Sequence, residues 1–167
     1  RRFLESFFGD VVKEDLERAL DNITISWSEE ERLGKQLLAD LKQRLAAHGQ
    51  KLVDRGRDVQ YIRQLAELLQ PRMKQAERYQ ELHVYLVNIQ EPNAYSLPGG
   101  HIIVSREMLE RVGCEAAIVC VLGHELSHLD RSHLLRRQKE WRLAEQRLAA
   151  PTQGFSPQRI EQTMSLM

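Results

Sequence analysis

The sequence predicts an α+β fold that is predominantly helical, with a small β-sheet set beside its one chemically distinctive helix. Three observations predict it. Leucines recur at helical spacing over the first seventy residues, two short runs rich in β-branched and aromatic residues follow, and an apolar stretch then leads into "GHELSHLDRSH". A chain of 167 residues is most simply one domain. Its parts read as an N-terminal helical segment (1–27), a core (28–149) and a C-terminal segment (150–167). Hydrophobic residues at 42% and charged ones at 29% exclude a disordered chain. Lys+Arg and Asp+Glu are equal at 24 each, so neither nucleic acid nor an anionic membrane is expected as the main partner.

The elements follow in order. Residues 1–22 mix Phe3, Leu4, Phe7, Phe8, Val11, Val12, Leu16 and Leu20 with charges at roughly helical spacing. Ser28 offers an N-cap for a second helix, Glu29, Glu30 and Glu31 suit its positive end, and Leu33, Leu37, Leu38, Leu41 and Leu45 form one stripe. It should end near His48-Gly49. A third helix over 58–70 carries Tyr61, Ile62, Leu65, Leu68 and Leu69, with Pro71 as its stop. The period then changes. "LHVYLVNI" (82–89) and "HIIVS" (101–105) read as strands, and "EPNAYSLPGG" between them must turn or run along an edge. Ser105 can cap a short helix that Gly113 ends. From Glu115 a long helix is expected through the histidines towards Ala149, where "APTQGFSP" breaks it, and a last helical piece spans 158–167.

Cys114 and Cys120 make no disulfide framework; on one helix they would stand ~9 Å apart, too far for a bridge. They are expected to be buried thiols. The longest apolar run, 116–122, is far too short to span a bilayer, and the first residues meet acids too early for a signal peptide.

His124, Glu125 and His128 fit H-E-x-x-H. Residues four apart on a helix differ by only ~40° in direction, so both imidazoles project from one face towards a single point. Neutral imidazole is a good zinc ligand, and two leave room for a third protein ligand and a water. Glu125, at the rim of that face, is placed to act as general base. Gly123 would let another element or a substrate approach the helix backbone. His133 fails as the third ligand, because nine positions turn it ~180° away on a continuous helix. Position 131 is Arg where the H-E-x-x-H-x-x-G-x-x-H pattern needs Gly. Asp130 reads as a solvated acid, with a role orienting a histidine as the alternative.

"SEEERLG" (28–34), "NAYSLPGGHIIVS" (93–105) and "GHELSH" (123–128) come in an order and at separations that resemble one group of zinc metallopeptidases. That group includes the CAAX prenyl endopeptidases, the HtpX-type bacterial membrane proteases and the periplasmic BepA-like proteases. The resemblance implies a zincin-like, gluzincin domain, with zinc on His124 and His128 and Glu125 as the catalytic glutamate. It maps a substrate-binding rim onto Asn93, Ala94 and Tyr95, where an edge strand could hold an extended peptide through its main chain. It also implies a protein or peptide substrate and a bacterial cell-envelope location, periplasmic or membrane-associated. The sequence departs from the group at its third ligand, a glutamate in E-x-x-x-D on a later helix. Glu161 follows the break, but Ser165 stands at the Asp position, so the chain is expected to stop before the ligand-bearing segment or to lack it, with Glu161 as the minority alternative. Two functions follow: a zinc-dependent endopeptidase acting on exposed or unfolded protein segments, or a non-catalytic protein-binding module on the same fold.

Overall fold

A computed structural model of the protein describes residues 16–149. Residues 24–137 form one compact unit, and the described residues 16–23 and 138–149 belong to a second. The expectations for 1–15 and for the piece at 158–167, with Glu161, lie outside the described residues.

In the larger unit the chain runs α1 (Trp27–Ala47), β1 (Leu52–Val53), α2 (Arg57–Leu69), β2 (His83–Val87), β3 (Ala94–Leu97), β4 (His101–Ser105), α3 (Arg106–Val112) and α4 (Glu115–Asp130). A helix α5 (Arg136–Ala149) follows and carries the chain into the second unit. Ser26, not Ser28, caps α1. Its hydroxyl accepts from the N–H of Glu29, and the Glu29 carboxylate accepts from the N–H of Ser26. That reciprocal box satisfies two of the donors a helix start leaves open. Ser105 caps α3 by accepting from Met108, as expected, and Gly113 ends α3 in the left-handed conformation.

The sheet order is β1-β2-β4-β3. β2 and β4 are parallel, and β3 pairs antiparallel with β4 to form an edge. Both faces of the two central strands are covered. Val84, Leu86, Ile102 and Val104 pack with Val59, Ile62 and Leu65 of α2 and Leu122, Leu126 and Leu129 of α4. Tyr85, Val87 and Ile103 pack with Leu38 of α1 on the other side. Strands buried on both faces need apolar residues in unbroken runs, which is why "HVYLV" and "HIIVS" do not alternate.

α1 crosses the turn after β3 at contact distance. A Cβ on Gly34 would stand 1.9 Å from the Pro98 carbonyl oxygen, so only glycine fits there. Beside the same turn His101 is 5% exposed, stacked on His83 with its Nδ1 3.4 Å from the Tyr85 hydroxyl. Burial first, then His83, Lys35 and Lys42, push its pKa down to about 4, against a weak opposing pull from Glu31. The folded state therefore keeps His101 neutral where the unfolded chain, titrating near 6.5, takes up a proton. His101 contributes full stability above that pH and loses it as the pH falls from 6.5 towards 4. Denaturant unfolding from pH 7 to 4 should show this loss, at most ~1.4 kcal/mol per pH unit from this group. His101→Gln should flatten the slope over that window, and an unchanged slope would show that His101 does not set it.

Candidate active site

α4 carries the three residues of H-E-x-x-H and presents them unequally. Leu122, Glu125, Leu126 and Leu129 are buried, whereas His124 is exposed and His128 half-buried. The helix enters the core at the motif rather than leaving it there. Its first half, 116–121, is exposed or half-exposed despite its apolar sequence. Cys114 and Cys120 are correspondingly exposed, not buried, because the apolar run gives its covered face to the second half of the helix. Leaving aside the helix's own backbone, no atom among the described residues lies within 4 Å of a Cβ built on Gly123, so none makes the close approach expected there.

The two motif histidines converge. Their Nε2 atoms are 3.1 Å apart, with ring planes at 89°. Two nitrogens bound to one tetrahedral zinc at 2.0–2.1 Å would stand ~3.3 Å from each other, so the pair fits two positions on such an ion. Among the described residues no set of three or more His, Cys, Asp or Glu side chains is arranged to hold a metal.

Glu125, next to His124 in the chain, is 6% exposed. β3 reaches it: the Ser96 hydroxyl is 3.2 Å from the Glu125 carbonyl oxygen and 3.3 Å from Oε2. Burial raises the Glu125 pKa, while His128, His124 and the Ser96 hydrogen bond pull it back. A carboxylate raised in this way is more basic than a solvated one. Ser96 escaped the sequence reading, although it sits inside the quoted "NAYSLPGG"; alternation along an edge strand could have placed it on the helix side with Ala94.

The rim residues divide between faces. Ala94 packs on the α4 side and Tyr95 on the α1 side. Asn93 is held by its backbone, its N–H donating to Ser105 Oγ at 2.9 Å and its carbonyl accepting from Ser105 N at 2.8 Å. With Asn93 and Ser105 a hydrogen-bonded pair, the antiparallel register turns the N–H and C=O of Ala94 and Ser96 away from β4, and there the Ser96 N–H meets the Glu125 carboxylate.

Beyond α4 the long helix does not continue. Ser132 adopts φ 53°, ψ 28°, a single turn spans His133–Leu135, and α5 starts afresh. His133, expected to face away, instead folds back so that its Nδ1 is 3.0 Å from His128 Nδ1. Partial desolvation, then His128, Arg131 and Arg136, hold its pKa below the usual histidine value. Asp130 is half-buried rather than fully solvated, and its Oδ1 accepts from the backbone N–H of Gln75 at 2.8 Å.

The model of Peptidase family M48 matches residues 58–156, more than half of the chain. Over 70 residues, 42% of its length, the chain is 36% identical to the Beta-barrel assembly-enhancing protease of Yersinia pestis, of which it covers 14%. Over 58 residues it is 29% identical to the protein of the same name from Escherichia coli (strain K12), covering 35% of this chain and 12% of that one. The chain thus spans a small part of the relatives it matches.

Ser96→Ala removes a contact that lowers the Glu125 pKa. The expected result is a folded protein whose Glu125 titrates at higher pH, read from its carboxyl carbon signal by NMR. An unmoved titration would show that Ser96 does not tune this carboxylate.

Proposed function

The chain belongs to peptidase family M48, and from that premise we propose that it is the catalytic part of a zinc-dependent endopeptidase acting on exposed or unfolded protein segments. The observation that carries the reading is the convergence of His124 Nε2 and His128 Nε2 on the same helical turn as the buried, Ser96-bonded carboxylate of Glu125. His124 and His128 would hold the metal. Zinc bound there supplies a Lewis acid that acidifies water and polarises a peptide carbonyl.

The protein's own groups do the rest. Glu125 takes the proton of the attacking water and returns it to the leaving amine, and its raised pKa suits both halves of that exchange. Ser96 holds the carboxylate in place between the two transfers. The outward N–H and C=O of Ala94 offer an extended peptide main-chain groups to pair with beside α4, next to the Ser96 N–H that Glu125 already engages. Such pairing reads main chain rather than side chains, which suits substrates defined by being unfolded. Asn93 and Tyr95 flank this edge, Asn93 by fixing the β3–β4 register and Tyr95 by anchoring β3 to the α1 layer. A bacterial cell-envelope location belongs to the same proposal, supported by the likeness to bacterial proteases named for β-barrel assembly. No helix among the described residues is long and apolar enough to cross a membrane.

Glu125→Gln should keep zinc affinity and lose at least ~100-fold in hydrolysis of an unfolded casein substrate, since it removes the proton acceptor and leaves both imidazoles. Full activity in that variant would overturn the assignment of Glu125. Loss of casein binding and hydrolysis together in the wild type would favour neither an enzyme nor a binding module. Binding without hydrolysis, with zinc present, would favour the module.

Ala94→Pro tests the edge. The Ala94 N–H points away from β4, so proline costs no bond of the sheet, yet it deletes a donor from the outer edge. The expected result is an unchanged thermal midpoint with KM raised several-fold. Unchanged kinetics would place the substrate elsewhere.

A further inference from the structure

The return of His133 to His128 is imposed from a distance. Gln75, in the segment between α2 and β2, clamps the end of α4 at three points. Its backbone N–H donates to Asp130 Oδ1 at 2.8 Å, its side-chain amide donates to the Asp130 carbonyl, and the same nitrogen lies 3.3 Å from Ser132 Oγ. Ser132 takes the left-handed conformation at this point, the sole non-glycine residue to do so among the described residues. Left-handed backbone costs a residue with a Cβ roughly 1 kcal/mol, so the clamp sustains a turn that serine alone would not choose. The consequence is a second imidazole against His128, with ring centroids 5.3 Å apart.

The two nitrogens of His128 then have different tasks. Nε2 faces His124 Nε2, and Nδ1 faces His133 Nδ1. A neutral imidazole that offers its Nε2 lone pair to a cation carries its proton on Nδ1. Between His128 Nδ1 and His133 Nδ1 only one proton can lie, so His133 must present a lone pair there and carry its own proton on Nε2. His133 is not itself a third ligand, because its nearer nitrogen is directed at Nδ1 of His128, on the side of that ring remote from His124.

We propose that His133 is a positioning residue whose Nδ1 accepts the Nδ1–H of His128, fixing the tautomer and ring plane that aim His128 Nε2 at the point shared with His124. This rests on the zinc reading of the histidine pair. Hydrogen-bond partners of this kind commonly contribute 10–100-fold to metal affinity.

The experiment is zinc titration against a chromophoric chelator for the wild type, His124→Ala, His133→Leu and His133→Asn. It is joined to nitrogen-detected NMR of the His128 tautomer in the metal-free protein. His133→Leu keeps the bulk and removes the acceptor; it should weaken zinc binding 10–100-fold and return His128 towards the tautomer mixture of a free imidazole. His133→Asn, whose Oδ1 can stand where Nδ1 stood, should recover affinity to within a few-fold of wild type and restore the Nδ1–H form. Wild-type affinity in His133→Leu would overturn the proposal, as would an Asn variant as weak as the Leu variant, which would make His133 a packing residue. Should His133→Leu fail to fold, the Asn variant and the wild-type tautomer decide, and a wild-type His128 protonated on Nε2 would overturn the proposal. Zinc binding indifferent to His124→Ala would overturn the zinc reading itself, a result separable from the others because it precedes any change at His133.

Discussion

One buried carboxylate holds together the parts from which the site is assembled. Glu30, in the first turn of α1, is fully buried. Its Oε1 accepts from the Tyr79 hydroxyl at 2.7 Å and from the N–H of Gly99 at 3.1 Å, and its Oε2 accepts from Arg78 Nε at 2.8 Å and Nη2 at 2.5 Å. Arg78 also reaches the Ile25 carbonyl and lies over the Trp27 ring, while the Tyr79 hydroxyl stands 3.2 Å from the Leu129 carbonyl. Four stretches of chain therefore meet at one charge: the start of α1, the segment before β2, the turn after β3 and the last residues of α4. The positive end of α1 adds to the attraction. Removing one partner of such a pair costs ~3–5 kcal/mol in buried settings, because the other charge stays behind without its counterpart. Arg78 keeps some solvent contact, which places this pair towards the lower end.

That junction explains why β3 and α4 hold their spacing. β3 is an edge strand tied to the sheet by β4 alone, and its far end runs into the two glycines of the turn. Gly34 lets α1 lie on the Pro98 carbonyl, and Gly99 donates to Glu30, so the turn is pinned from above and from inside. At the other side of the site the Leu129 carbonyl meets Tyr79, and Gln75 grips Asp130. The segment 75–79 thus secures the end of α4 twice, by Gln75 at its tip and by Tyr79 one residue earlier. Ser96 can meet Glu125 only because both of its neighbours in space are fixed in this way.

What was legible in the sequence is what depends on local spacing. The i, i+4 relation of His124 and His128 fixes their common direction once a helix is granted, and the apolar runs of β2 and β4 announce strands covered on both faces. The capping of α1 was misplaced by two residues because Ser26 and Ser28 are equivalent in type, and only the reciprocal contact of Glu29 separates them. Glu30 read as one acid among three suited to a helix start. Nothing local tells which of Glu29, Glu30 and Glu31 turns inward, since its partners Arg78 and Tyr79 lie 48 and 49 positions away. The break after Asp130 was missed for the same reason: no glycine or proline marks it, and its cause is Gln75, 55 positions earlier. The cysteines were assigned to the core because "AAIVCVL" is apolar, but the buried stripe of α4 begins only at Leu122.

The direction in which α4 is buried has a chemical consequence under the peptidase reading. Glu125 and His124 are adjacent in sequence and opposite in environment, the first 6% exposed and the second open to solvent. Desolvation is what raises the Glu125 pKa, yet a metal ligand on the same turn must leave room for a substrate to approach. A helix that left the core at the motif would expose both groups, and a helix sunk along its whole length would cover both. Entering the core at the motif, as α4 does, separates the two requirements by a single residue's rotation of ~100°. The edge of β3 then supplies the wall on Glu125's side through Ser96. Access and desolvation are both set by the depth at which Leu122, Leu126 and Leu129 anchor α4 to the sheet.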